Sequence, residues 1–244
     1  MSDMSDSRRH RGPHPQDEEL FSECQLEALR EATSDLSWLR SRGYSDTAAI
    51  KLVGDRYQLR TRQRIAISRC ACSDLAKAAR AARRCSPDAI EGRSLVIDGL
   101  NVITTIEVAL SGGALFLGRD ACLRDMASFH GSYRLVEETE RAVSILVDLV
   151  ESLEPSQATM YIDRPVSNSG RLAQLVRSSA ESRGARLRAM TENGVDELLQ
   201  ASPAVVASAD SAILDRCGDW LSLAHLAIER NRVELEPLWL LDLS

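Results

Sequence analysis

The chain changes its periodicity once. Between about residues 20 and 90 apolar positions recur at helical spacing, and Leu26, Leu29, Thr33, Leu36 and Leu39 form the stripe of an amphipathic helix. Gly43 is placed to stop it. Ser45 is placed to cap a short helix holding Ala48, Ala49, Leu52 and Val53, which Gly54-Asp55 should break. Thr61 can cap a further helix through Ile65 and Ala66 into the Ala-rich 75–82 stretch, and Pro87 closes the region. From residue 94 short apolar runs appear instead: Leu95-Val96-Ile97, Met160-Tyr161-Ile162, Ala185 to Met190 with alternating Arg, and Ala204-Val205-Val206-Ala207. Helix-period segments lie between them, clearest at 135–153 (Leu135, Ala142, Leu146, Leu149, Leu153) and again at 170–183. Strands alternating with helices imply an α/β fold, a mostly parallel sheet flanked by helices, preceded by a small all-α domain. The expected organisation is a disordered tail over 1–18, a helical domain over 19–92 and the α/β domain over 93–244.

Composition narrows this picture. Aromatics are 4% of the 244 residues, so Leu, Val, Ile and Ala must fill the core. No apolar run approaches the roughly 18–20 residues of a membrane span, and no basic start precedes an apolar stretch, so the expected location is the cytoplasm. None of the six cysteines forms a C-x-x-C pair. Cys70, Cys72 and Cys85 can in principle supply three zinc ligands, but small buried residues of a helix are the better reading. The net charge of −6 is uneven: residues 40–93 carry 13 basic and 5 acidic side chains, whereas residues 96–244 carry 13 basic and 22 acidic. That split suggests two parts with different work.

The candidate chemistry is positional. Asp98 follows Leu95-Val96-Ile97, Asp163 follows Met160-Tyr161-Ile162, and Asp210 follows Val205 to Ala209. The carboxyl ends of parallel strands share one edge, where ligands bind. Strands about 4.8 Å apart would bring such acids into one cluster, of the oxygen-ligand type that suits Mg²⁺ or Mn²⁺. Each alone is better read as a turn cap; the three together shift the balance towards a site. Asp196, in Val195-Asp196-Glu197-Leu198-Leu199, can open a helix near the same edge. Helical phase counted from Leu135 points Glu138, and neither Glu137 nor Glu140, towards the sheet.

At these residues the sequence resembles the PIN-domain and related NYN ribonucleases. Val96-Ile97-Asp98-Gly99-Leu100-Asn101-Val102 looks like their opening strand and metal-binding Asp, Gly194 to Leu199 like their late helix Asp, and Ala207-Ser208-Ala209-Asp210-Ser211 like their last-strand segment. The likeness covers about 95–230, and the gap from Asp196 to Asp210 is short for a PIN domain. Segment 111–134 has no counterpart. The whole chain also looks like an uncharacterised family of conserved proteins with a helical front half.

The resemblance implies a PIN-like α/β domain and a metal-dependent ribonuclease, a hydrolase with Asp98, Glu138, Asp196 and Asp210 as catalytic and metal-binding residues and Asp163 as an outer ligand. RNA is the expected partner and Mg²⁺ or Mn²⁺ the cofactor. Asn101 and Ser208 are candidates to hold metal-bound water or a phosphate oxygen, and Arg134, Arg164, Arg171 and the helix start at Asn168-Ser169 to bind substrate. His130 is a further candidate contact. Arg56, Arg60, Arg62, Arg64 and Arg69, around a helix–turn–helix-like pattern, form a candidate RNA-tracking surface, or a solvated helix face. The rival functions are a non-catalytic nucleic-acid-binding or regulatory protein, and another Mg²⁺-dependent phosphohydrolase.

Overall fold

The structure, a computed structural model, describes residues 10–127, 132–235 and 237–244. The helical part contains α1 (Asp17–Leu20), α2 (Glu23–Ser41), α3 (Asp46–Arg56), α4 (Thr61–Cys70) and α5 (Asp74–Arg83). A turn at Pro87–Ile90 leads to β1 (Ser94–Asp98) and α6 (Gly99–Leu110). Then follow β2 (Leu115–Leu117), β3 (Leu123–Arg124), α7 (Thr139–Ser152), β4 (Gln157–Asp163), α8 (Ser169–Arg183) and β5 (Leu187–Glu192). The chain closes with α9 (Val195–Gln200), β6 (Val205–Ala207), α10 (Ser211–Leu214), β7 (Trp220–Leu221), α11 (Leu223–Arg230) and β8 (Leu240–Asp242). Among the described residues no helix is long and apolar enough to cross a membrane.

The main sheet has the order β5-β4-β1-β6-β7, and every pairing is parallel. Alternation along β1 shows how it is covered. Leu95 and Ile97 share one core with residues of α6, α7, α8 and α11, while Val96 faces the opposite core with Val195, Leu199, Ile213, Leu214 and Trp220. Four predicted strands are present as β1, β4, β5 and β6. The short β7 carries no run long enough to be legible. A second sheet, β3-β2-β8, joins residues from opposite ends of the α/β part.

Several boundaries differ from the sequence reading. Gly54 does not break α3 but lies inside it, because the Arg64 guanidinium occupies the space where a Cβ would stand, 2.4 Å away. The expected helix from Thr61 into the Ala-rich stretch is two helices. The chain is extended at Ala71, and Ser73 caps α5 by accepting from the Ala76 amide at 3.1 Å. The helical part does not close its own core: Phe21, Leu29, Leu36, Ala66 and Ile67 pack with Ala114, Phe116, Leu241 and Leu243 of the second sheet. Phe21 meets Phe116 edge-on at 4.9 Å. Nor are residues 10–18 a free tail. Asp17 is buried in a two-bond pair with Arg62, and Arg11 bonds Glu107 at 2.8 Å. Short polar segments read as disordered when their charges have no visible partner, and these partners lie 45 and 96 residues away.

Candidate functional site

The chain runs from β1 outward through β4 to β5, then returns to the other side of β1 as β6 and β7. The strand order therefore reverses between β1 and β6, and the crevice at the carboxyl ends there is the ligand position of a doubly wound sheet. An open cleft of about 890 Å³ lies at that point. Asp98, Asp163, Asp196 and Asp210 all line it. The helical part of the chain contributes Arg40, Arg69, Ala76 and Arg80 to the lining, with Tyr44 from the α2–α3 loop.

Local bonding sets each acid. Asp98 ends β1 and caps α6, taking the Asn101 amide on Oδ1 (3.3 Å) and the Ser208 hydroxyl on Oδ2 (2.8 Å). Gly99 is needed next to it, since a Cβ there would stand 2.7 Å from Ile162 Cγ1 and 2.8 Å from the Tyr161 carbonyl oxygen. Asp210 caps α10, accepting from the Ala212 and Ile213 amides at 2.7 and 3.2 Å. The Ser208 hydroxyl accepts from the Asp210 amide at 3.0 Å, and the Asn101 side-chain oxygen from the Ala209 amide at 2.9 Å. Ser208 and Asn101 thus tie the ends of β1 and β6 together, and Asn101 also faces the cleft.

The acids feel one another. Burial pushes the Asp98 carboxyl up to about 7; bonds from Ser208 and Asn101 oppose this, and the charges of Asp210 and Asp196 add to it. Burial raises Asp196 as well, with repulsion from Asp210 and Asp163. It also raises Asp163, against the Val195 amide and with Glu197 repelling. Seven carboxylates line the cleft (Asp46, Asp98, Asp125, Asp163, Asp196, Asp210, Asp215) against four guanidiniums (Arg40, Arg69, Arg80, Arg124), so cations are favoured. Among the described residues, however, no group of three His, Cys, Asp or Glu side chains is placed to hold a metal ion by itself.

Other predicted site residues fall elsewhere. Glu138 does not line the cleft: it precedes α7 and pairs with His10 at 2.6 Å. The phase count is right that Glu138 turns inward, its side chain 11% exposed, while Glu137 and Glu140 are exposed; but Glu138 stands before α7, which begins at Thr139, and faces His10 rather than the cleft. Arg134, Arg164, Asn168, Ser169 and Arg171 are also outside the cleft lining. Arg164 bonds the Thr191 carbonyl, Asn168 the Tyr133 carbonyl, and the Ser169 hydroxyl the Arg164 carbonyl. Arg171 is exposed on the first turn of α8, and the Arg134 carbonyl accepts from Arg11. His130 lies outside the described residues.

Of the predicted basic residues, Arg56 and Arg60 are exposed and Arg62, Arg64 and Arg69 are half-buried, each of the three with partners within the chain. Arg62 pairs with Asp17, Arg64 with Asp55 and the Leu59 carbonyl, and Arg69 with the Asp125 and Ala127 carbonyls. Arg56 sits 3.6 Å from Asp35 and over the Tyr57 ring, and Arg60 is exposed at the start of α4.

Sequence reasoning missed Asp125 and Thr104 in the cleft, and the arginines behind it. Asp125 is buried, accepts from the Thr105 hydroxyl and the Ala127 amide (both 2.7 Å), and burial raises its carboxyl. The Thr104 hydroxyl is buried and has no hydrogen-bond partner among the described residues. The available signal was the doubled Arg-Asp of Arg119-Asp120 and Arg124-Asp125 around the apolar Cys122-Leu123, because charges inside an apolar stretch mark buried pairs.

Two family models match successive stretches of the chain, and neither carries an activity. The family described as a protein of unknown function (DUF434) matches residues 28–83. The chain is 27% identical over 187 residues to an uncharacterised protein of Methanocaldococcus jannaschii, covering 77% of this chain and 89% of that one. No solved structure matches. The family described as a domain of unknown function (DUF5616) matches residues 87–226, more than half of the chain and all of the main sheet, and the protein belongs to that family.

Proposed function

We propose that the cleft is a metal-dependent phosphodiesterase site of PIN-like type acting on RNA. The observation that carries this reading is the convergence of Asp98, Asp163, Asp196 and Asp210 at the strand-order reversal, with Asp98 and Asp196 destabilised as anions by burial and by the charge of Asp210. Carboxylates so placed are stabilised by a hard cation. The donor set fits Mg²⁺ or Mn²⁺. The absence of a three-side-chain group among the described residues is compatible with Mg²⁺, which keeps several waters and is held by one or two carboxylates together with substrate phosphates. Asp98 and Asp210 would hold the ion, with Asp196 and Asp163 behind them. Such an ion lowers the pKa of its water and neutralises charge developing at phosphorus. Arg40, paired with Asp46, and Arg69, bonded to the Asp125 and Ala127 carbonyls, line the same cleft and leave positive charge beside the acids for a phosphate. Asn101 and Ser208 keep Asp98 and Asp210 in register across β1 and β6.

The test is Mn²⁺ calorimetry on the wild type and on the Asp98→Asn, Asp210→Asn double variant, followed by cleavage of an RNA panel. Carboxylate-dependent binding with Mn²⁺-dependent cleavage is expected. RNA binding without cleavage, unaffected by the double variant, would replace this reading with a non-catalytic RNA-binding protein.

A further inference from the structure

A buried ion network lies directly behind the Asp210 loop. Arg80, from α5, is 2% exposed; Arg124, from β3, is 6% exposed; and the Asp120 side chain between them is fully buried. Arg124 takes both oxygens of Asp120, from Nη1 at 2.8 Å and Nη2 at 2.7 Å. Arg80 bonds the same carboxylate and also Asp215, from Nε at 2.9 Å. Burial would raise the Asp120 carboxyl, but the bonds and charges of Arg124 and Arg80 overcome it and hold it at about 2. Two cations therefore share one permanent anion in the interior. The forked guanidinium geometry lets each arginine bond a second group at the same time.

The second groups are the informative ones. Arg124 Nε donates to the Ala209 carbonyl at 2.8 Å, and Arg80 Nη2 to the Ser211 carbonyl at 3.2 Å. These carbonyls flank Asp210. The Asp210 carboxylate itself accepts from the Ala212 and Ile213 amides, so the arginines grip the backbone around it. Ordinary packing needs no buried arginine pair here, and a lysine in either place could not bond Asp120 and a loop carbonyl in this forked way.

We propose that Arg80 and Arg124, joined through Asp120, are positioning residues that clamp the backbone on both sides of Asp210, so that the cleft is completed by the helical part of the chain. Arg80 lies in the segment matched over residues 28–83, and Asp120, Arg124 and Asp215 lie in the segment matched over 87–226. The site is thus composite. The clamp stands on geometry alone; its effect on metal binding rests on the cation reading above.

The experiment uses the full chain with Arg80→Lys and Arg124→Lys, which keep the charge and remove the fork. Arg83→Lys serves as control, because Arg83 bonds the Leu214 and Cys217 carbonyls beyond the loop. Amide exchange is read at Ala209, Asp210, Ala212 and Ile213, whose amides have the side-chain acceptors named above. Mn²⁺ affinity is measured on the same samples. Expected are roughly tenfold faster exchange at these four amides with β1 and β4 unchanged, and roughly tenfold weaker Mn²⁺ binding, with Arg83→Lys like the wild type. Unchanged loop exchange in both variants, or protection lost evenly across the sheet, overturns the clamp. Faster loop exchange with unchanged Mn²⁺ affinity overturns the positioning role. If the wild type binds no Mn²⁺, the cation reading fails, and the exchange measurement still decides the clamp.

Discussion

Replacing Asp98 by asparagine should remove most of one specific pH dependence of stability. The folded-state carboxyl stands at about 7 against an ordinary 3.8, so the folded chain holds this proton more tightly than the unfolded chain. The stability it contributes is complete below the unfolded value, falls by about 1.4 kcal/mol per pH unit, and is gone above 7. Between pH 5 and pH 8 the wild type should lose about 3 kcal/mol through this group. The amide introduced by Asp98→Asn keeps an acceptor for the Asn101 backbone N–H or the Ser208 hydroxyl and carries no charge, so the variant should not show that loss. Asp163 titrates in both proteins, and the repulsion of Asp98 by Asp196 and Asp210 is part of the loss that the comparison reads. The assay is urea unfolding of both proteins at the two pH values with chelator present. The advantage of the variant over the wild type should grow by about 3 kcal/mol from pH 5 to pH 8. A difference between the two pH values below about 1 kcal/mol would refute burial of an ionisable Asp98 carboxyl. Mn²⁺ at a hundred times its dissociation constant should then restore about 3 kcal/mol to the wild type at pH 8, and little to the variant.

Three further outcomes follow from the packing. Thr104→Val removes a buried hydroxyl that has no partner among the described residues, so its thermal midpoint should equal or exceed that of the wild type; a loss above about 1 kcal/mol would mean that the hydroxyl is bonded. Gly99→Ala pushes a methyl group into Ile162 and the Tyr161 carbonyl and should cost about 2 kcal/mol in urea unfolding, whereas a neutral result would contradict the close approach of α6 to β4. Arg11→Ala takes the cation from the fully buried Glu107 carboxylate and leaves it the Tyr133 and Thr139 hydroxyls. It should destabilise by about 2–3 kcal/mol, and a change under about 0.5 kcal/mol would show that residues 10–16 do not dock.

The sequence by itself determined the elements whose signal is local. Leu95-Val96-Ile97, Met160-Tyr161-Ile162 and Ala204 to Ala207 became strands because short apolar runs between amphipathic helices have few other ways to be buried on both sides. Parallel direction then put Asp98, Asp163 and Asp210 at one edge, as the spacing required. Only the tertiary structure decided what met there. The placement of β6 beside β1 turned three strand-end acids into one cleft and brought Asp196 to it. The start of α7 moved Glu138 away, while Asp125 entered from a segment without periodicity. Of the arginines that looked like a surface for RNA, Arg62, Arg64 and Arg69 are half-buried and bonded within the chain while Arg56 and Arg60 stay exposed, and Arg80 and Arg124 went to the interior behind Asp210. Periodicity records which face of an element is apolar. It carries no record of which distant charge will be paired, because that depends on strand order and on the layer packed above.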